Sequence, residues 1–230
     1  MEKENKLDEK KICFIICSNN EIYLNECMHY LQHLLVPDGY DIDVAVIEDA
    51  KSITMGYNEG MHSSNAKYKV YMHQDVFILN KYFLSDVLDI FAGDPQIGMI
   101  GQVGYKRISE DGIMWHEKRY GAMYRQQDAT SYADLQEYRY SLAEDRYSNV
   151  ALIDGFMMVT AYDLPWAEEF LDGWDFYDVF QSISFLEHGY KIVVPMQRHP
   201  WCLHDSGLIL NMSNYDRYRR IFMDKYADYL

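Results

Sequence analysis

Tyr68-Lys69-Val70-Tyr71-Met72-His73-Gln74-Asp75-Val76-Phe77-Ile78 is rich in β-branched and aromatic residues and carries a lone carboxylate, Asp75, near its far end. Such a run reads as a strand. In an open α/β sheet, ligands sit outside the carboxyl ends of the strands. Asp75, with His73 two residues before it, therefore stands where a ligand would be met. Upstream, residues 12–17 are continuously apolar, as in a strand covered on both faces. Ser18-Asn19-Asn20 supply N-capping residue types, and residues 21–35 then read as a helix. After the turn at Pro37-Asp38-Gly39, residues 42–47 form a second strand ending in Glu48-Asp49. Strand, helix and strand make a βαβ unit. No GxGxxG occupies its first turn, which argues against a dinucleotide enzyme.

Outward from the quoted run, residues 52–66 read as a helix despite Gly56 and Gly60, residues 82–91 as another, and residues 97–103 as a buried strand. This order predicts a mostly parallel central sheet flanked by helices. Residues 104–149 change character: dense in Tyr, Arg, Glu and Asp and without a clean period, they read as an irregular insertion, with a helix possible over 132–146. Such an insertion is either a lid or binding loop or a surface excursion tied down by aromatics. Strand is expected again over 150–159, a short helix over 164–171, an amphipathic helix over 178–188 closed by Gly189, a strand over 192–195 and a last helix over 213–229. The domain expectation is one unit over 12–207, a flexible leader over 1–11 and a C-terminal helix, 208–230, packed on the unit.

The 230 residues carry a formal net charge of −15. Nucleic acid needs a positive footprint, so nucleic-acid binding is excluded, and any phosphate must be held by backbone amides, a few cationic groups or a metal. Cys13, Cys17, Cys27 and Cys202 form no CxxC pair and read as small core residues of a reducing compartment. The apolar run after the charged start is too short for a signal core or a membrane span, so a soluble, cytoplasmic protein is expected. The 21 tyrosines suit rims of polar pockets, although a plain compositional bias accounts for them equally simply.

In this order and spacing the pieces resemble nucleotide-sugar glycosyltransferases of the GT-A fold, in the broad family-2 class, and most of all the streptomycin-biosynthesis-type glycosyltransferase-like domains. The carriers are the strand at 12–18, Ile47-Glu48-Asp49, Gly56-Tyr57-Asn58-Glu59-Gly60, Met72-His73-Gln74-Asp75, Ile153-Asp154-Gly155-Phe156 and the stretch 174–190. The resemblance implies a Rossmann-like nucleotide-binding half, a UDP- or GDP-type sugar donor, a divalent cation on its diphosphate, and an acid serving as base for a sugar or small-molecule acceptor. Carried over by position, Ser18, Asn19, Asn58 and Gln74 would line the nucleotide pocket. Glu48 or Asp49 would bind the base or ribose. Asp75 would hold the metal, Asp178 would be the catalytic base with Asp175 as runner-up, and Asp154, Gly155 and Trp174 would meet the acceptor sugar. Two departures stand out: His73-Gln74-Asp75 replaces the family's Asp-x-Asp, and Tyr177-Asp178 replaces its Glu-Asp.

Mg²⁺ and Mn²⁺ take oxygen ligands, and imidazole suits Mn²⁺ better than Mg²⁺, so Asp75 with His204, and with His73 as a third donor, favours manganese. Each assignment has a plainer alternative. Asp75 could cap a strand end, His73 could be a packed, hydrogen-bonded histidine, and an Asp opening a helix is an ordinary cap. Trp115, His116, Trp174 and Trp201 could stack on sugars or simply pack. Three function classes stay open: an active glycosyltransferase, a catalytically degenerate binding module of the same fold, and a nucleotidyltransferase. The last is disfavoured because no basic, Gly-rich phosphate loop follows the first strand. A homodimer is compatible with the sequence.

Overall fold

Strand β1 (Asp8–Ser18) is paired in parallel on both sides, with β2 (Asp41–Glu48) and β3 (Ala66–His73), which is why its apolar run lacks alternation. The computed structural model describes residues 6–126, 135–143, 145–207 and 212–229. Alternate residues of β1 feed two cores: Cys13, Ile15 and Cys17 face one, Ile12, Phe14 and Ile16 the other. Burying each such aliphatic or aromatic side chain contributes about 1.5–3 kcal/mol. The first core is covered by α2 (Ile53–Ser63), α4 (Tyr177–Glu187) and α5 (Tyr215–Lys225), through Tyr57, Phe180 and Phe222. The second is covered by α1 (Glu21–Leu31) and α3 (Phe83–Gly93), through Leu31 and Val87. Gly56 and Gly60 seat α2 on β1: a Cβ on Gly56 would lie 2.5 Å from Cys17 Sγ, and one on Gly60 would overlap Ile15.

The main sheet continues through β11 (Met157–Thr160), β5 (Ile97–Gly101), β12 (Lys191–Pro195) and β9 (Tyr147–Val150), in the order β2-β1-β3-β11-β5-β12-β9. Only β11 and β9 run against the rest, so the expected mostly parallel sheet holds for its main direction, while half of its neighbouring pairs are antiparallel.

A second sheet was not foreseen. It has the order β10-β6-β7-β13-β4, built from β10 (Leu152–Ile153), β6 (Val103–Tyr105), β7 (Arg119–Gln126), β13 (Cys202–His204) and β4 (Val76–Ile78), with β8 (Leu135–Arg139) on β7. Its pairs are antiparallel except β13 with β7. The run quoted at the outset is therefore two strands: the chain leaves the main sheet after His73 and enters the second at Val76, so Gln74 and Asp75 lie on the step between sheets.

Four expectations need correction. Residues 8–11 are not a loose leader: they extend β1 beyond its helical cover, paired through the backbone yet mostly exposed, with Asp8 N donating to Asn65 O at 2.8 Å. The insertion is largely strand. Residues 135–139 pair with β7 in place of a helix, while 132–134 and 144 lie outside the described residues. Residues 150–159 are three short pieces shared between the two sheets. Residues 164–171 are not helical: Trp166 O, the acceptor a helix would offer to residue 170, takes bonds from Asn58 Nδ2 at 3.0 Å and Glu168 N at 2.8 Å instead, while Asn58 also accepts from Trp166 N at 2.8 Å. Buried Tyr57, Tyr71 and Tyr177 ring Trp166, so these tyrosines are core. All four cysteines are buried and free. Among the described residues no helix is long and apolar enough to cross a membrane.

Candidate active site

The step between the sheets opens on a cleft of about 360 Å³, lined by Cys17, Ser18, Asn19, Ile53, Tyr57, Met72, His73, Gln74, Asp75, Trp174, Asp175, Ser213 and Asn214. Its floor is the carboxyl ends of β1 and β3, where a doubly wound sheet binds ligands. Gln74 shapes one wall. Its Oε1 accepts from Ser18 Oγ at 2.9 Å, Asn19 N at 3.1 Å and Asn20 N at 2.9 Å, and its Nε2 donates to Asn19 Oδ1 at 2.6 Å. Asn20 in turn caps α1, accepting from Ile22 N and Tyr23 N. The loop between β1 and α1 is thus latched to the end of β3.

Asp75 is the centre of the polar cluster. β13 brings His204 to it, because His204 pairs with Val76 and Asp205 N donates to Asp75 O at 2.9 Å. His204 Nε2 lies 3.6 Å and His73 Nδ1 3.8 Å from Asp75 Oδ1. The ligand atoms of the three residues all fall within 4.8 Å of one another. Asp75 Oδ1 is buried and has no hydrogen-bond partner among the described residues. Such orphans are rare because each costs about 1–3 kcal/mol. Burial raises the pKa of Asp75, opposed by His73. Burial, then His73, pushes that of His204 well below its usual value, so the imidazole is neutral with a lone pair available. An orphaned carboxylate oxygen between two imidazoles fits a divalent cation.

His73 Nε2 is hydrogen-bonded to Tyr177 Oη at 2.5 Å. Tyr177 follows Phe176, whose φ of 64° is in the left-handed region. A bulky residue persists there only when its surroundings hold it. Here the rings of Tyr215 and Phe222 on α5 do so, at centroid distances of 4.8 and 5.8 Å. This bend turns Asp175 towards the cleft and Tyr177 into the core. Gly155 makes room for Tyr177, since a Cβ there would overlap the Tyr177 hydroxyl and ring.

Asp178 does not line the cleft. It is 5% exposed, Oδ2 accepts from Gly155 N at 2.9 Å, Oδ1 accepts from Val179 N at 2.8 Å, and burial, followed by the nearby Asp154, pushes its pKa up to about 7. Burial also raises the pKa of Asp175. Asp154 accepts from Tyr105 Oη at 3.4 Å, and burial raises its pKa too. Of the acceptor residues named from the sequence, only Trp174, 51% exposed, lines the cleft. Glu48 and Asp49 are exposed at the end of β2, with Glu48 level with Ser18. Asn58 is turned away, bonded to Trp166 and to Glu168 Oε2. Sequence reasoning missed Ile53, Tyr57, Ser213, Asn214 and the contact of Tyr177 with His73. Only Tyr57, inside the Gly56–Gly60 motif, carried a signal.

Among solved structures, S. aureus TarS 1-349 in complex with UDP-GlcNAc matches with a TM-score of 0.59 at 10% identity, covering 94% of this chain and 66% of that one. The mannosyltransferase PcManGT from Pyrobaculum calidifontis, in complex with GDP-Man and Mn²⁺, matches with a TM-score of 0.55 at 11% identity, covering 94% and 62%. Another TarS structure is covered to 39% of its chain. The chain thus spans less than two thirds of these neighbours, and at such identities the likeness is one of fold. No curated protein sequence matches it. Residues 13–226 match the Glycosyltransferase like family, and the chain belongs to that family.

Proposed function

We propose that the protein transfers a sugar from a nucleoside diphosphate sugar to an acceptor hydroxyl, with a divalent cation held by Asp75, His204 and His73. The observation that carries this reading is the buried Asp75 Oδ1, without a hydrogen-bond partner among the described residues, facing two imidazoles at the floor of the cleft. Family membership and neighbours solved with UDP-GlcNAc or with GDP-Man and Mn²⁺ support it. The cation supplies Lewis-acid stabilisation of the charge on a departing diphosphate.

The chain's own residues do the rest. The loop at Ser18 and Asn19 borders the nucleotide, with Glu48 beside it at the same sheet edge for the ribose or base. Trp174 offers a ring face to a sugar. A base must first be within reach of its proton, and only then have a suitable pKa. Asp175, on the cleft wall, meets the first condition and takes the proton from the acceptor hydroxyl. Asp178 meets only the second, and in this reading it anchors α4 to Gly155. The pKa of Asp178 near 7 is the one observation that favours it as base instead.

The test measures sugar transfer and donor binding in full-length wild type, Asp175→Asn and Asp178→Asn with Mn²⁺ present. Asp175→Asn is expected to lower kcat at least about 100-fold while leaving donor affinity within a few-fold. Retained transfer in Asp175→Asn, together with loss in a folded Asp178→Asn and an acid limb near pH 7 in the wild type, would exchange the two roles. Donor binding without any transfer or hydrolysis makes the chain a binding module. Absence of donor binding with Mn²⁺ present sinks the whole reading.

A further inference from the structure

His73 and Tyr177 lie far apart in sequence, and the fold puts these two side chains in direct contact. His73 Nε2 and Tyr177 Oη are 2.5 Å apart. Tyr177 is 5% exposed, locked by the neighbouring rings of Tyr57 and Trp166 and by the space that Gly155 leaves. Its hydroxyl is therefore a fixed point. With Nε2 bonded to it, the other nitrogen, Nδ1, is the one facing Asp75 Oδ1.

We propose that Tyr177 is a positioning residue for a metal ligand: it holds the His73 ring so that Nδ1, with Asp75 Oδ1 and His204 Nε2, forms a two-imidazole, one-carboxylate site that takes a transition-metal dication before any nucleotide arrives. When Nδ1 gives its lone pair to a cation, Nε2 carries the ring proton and donates it to the Tyr177 oxygen. Outer partners of this kind set the tautomer and orientation of a ligating histidine. Three protein donors distinguish such a site from one completed mainly by substrate phosphates, where the cation is retained only with the nucleotide. Neighbouring donors of a tetrahedral site with metal–ligand bonds of ordinary length are about 3.4 Å apart, so the 3.6 and 3.8 Å from Asp75 Oδ1 need only small adjustments, and the two imidazoles, with ligand atoms within 4.8 Å, draw together on the cation. Two imidazoles among three donors favour Co²⁺ and Mn²⁺ over Mg²⁺, which prefers an all-oxygen shell.

This inference rests on the cation site of the proposed function but not on catalysis, and cation binding without nucleotide tests it. Co²⁺ is titrated into the full chain and followed by its visible absorption, with Mn²⁺ and Mg²⁺ as competitors. The expectation is a Co²⁺ spectrum without nucleotide, competition by Mn²⁺, and competition by Mg²⁺ at least about 10-fold weaker. Tyr177→Phe is expected to weaken Co²⁺ binding about 10- to 100-fold and to shift its absorption bands. His73→Asp supplies a second, independent variant. It is expected to move preference towards Mg²⁺, and adding Tyr177→Phe to it should then leave metal affinity unchanged. Wild-type affinity and spectrum in folded Tyr177→Phe, or a Tyr177→Phe effect that persists on His73→Asp, overturns the proposal. Cation binding only when a nucleoside diphosphate is present overturns it while sparing the proposed function. Tight Co²⁺ binding with no affinity for any nucleotide sugar does the reverse.

Discussion

The two sheets hold together by different physics. Around β1 the main sheet is sealed by apolar side chains on both faces: Ile12, Phe14, Ile15 and Ile16 are at most 1% exposed. The second sheet is stitched along β7 and β8 by arginines. On β7, Arg119 donates to Trp115 O at 3.0 Å and to Tyr140 Oη at 3.2 Å, and Arg125 Nε donates to Ser206 Oγ at 3.0 Å. On β8, Arg139 reaches Gln197 O at 3.0 Å and Arg198 O at 2.9 Å. The difference teaches where a change is felt. Where side chains are fully buried one unmatched atom is costly, whereas at the half-exposed residues of β7 and β8 water replaces a lost partner. The proposed cation site straddles both regimes, taking His73 from the end of the main sheet and His204 from the second.

The largest expected effect breaks the dry side from within. Lys69 lies on β3 with its side chain 0% exposed, and its Nζ donates to Ala66 O at 2.7 Å and to both Asp163 oxygens at 2.8 Å. Asp163→Ala leaves a buried ammonium with a single carbonyl, at a cost of about 3–5 kcal/mol. Lys69→Met, which removes the charge and keeps the volume, is expected to cost far less. Urea unfolding of both variants checks this, and an Asp163→Ala loss under about 1 kcal/mol would mean that water reaches Lys69 and that the main sheet is less dry than described.

A smaller effect follows where α2 rests on β1. A methyl at Gly60 would enter the volume of the Ile15 side chain, and Ile15 is 0% exposed, so it would have to move against its core neighbours. Gly60→Ala is expected to destabilise by about 1–3 kcal/mol despite the better helix propensity of alanine. Adding Ile15→Ala, which removes the Cγ2 that the new methyl would meet, should cost less than the sum of the two single changes, because the two residues share one space. Additive losses in urea unfolding would show that the helix shifts as a body instead.

The same contrast explains what the sequence disclosed. The run around Ile15 announced a central parallel strand, since a strand covered on both faces is apolar throughout, while those around Val46 and Val70 were legible through their β-branched and aromatic residues. The second sheet gave no such signal. Its strands Arg119–Gln126 and Leu135–Arg139 put charged residues on open faces, and several of the others are only two or three residues long. Asp75 was readable as a ligand because its strand ends there. His204 was readable only as an imidazole suited to manganese, since the β13–β4 pairing that brings it to Asp75 joins residues 128 positions apart (204 minus 76). The Tyr177 contact with His73 was not readable at all: both departures were visible, their meeting was not.

The smallest effect tests the wet side. Arg119 stands over the rings of Tyr105 and Tyr140, at 5.6 and 5.2 Å from their centroids, in addition to its two hydrogen bonds. Four contacts on one side chain invite a large estimate, but the residue is only half-buried, and exposed cation–π contacts contribute about 0.5–1 kcal/mol. Hydrogen bonds that water can replace add about as little each, and their energies do not sum. Arg119→Ala is therefore expected to lower stability by only about 1–2 kcal/mol in urea unfolding. Arg119→Lys, which keeps the charge but loses the planar fork, should fall between that variant and the wild type. A loss matching that of Asp163→Ala would mean that the arginine is as desolvated as Lys69, and the division between a dry sheet and a wet one would then fail at β7.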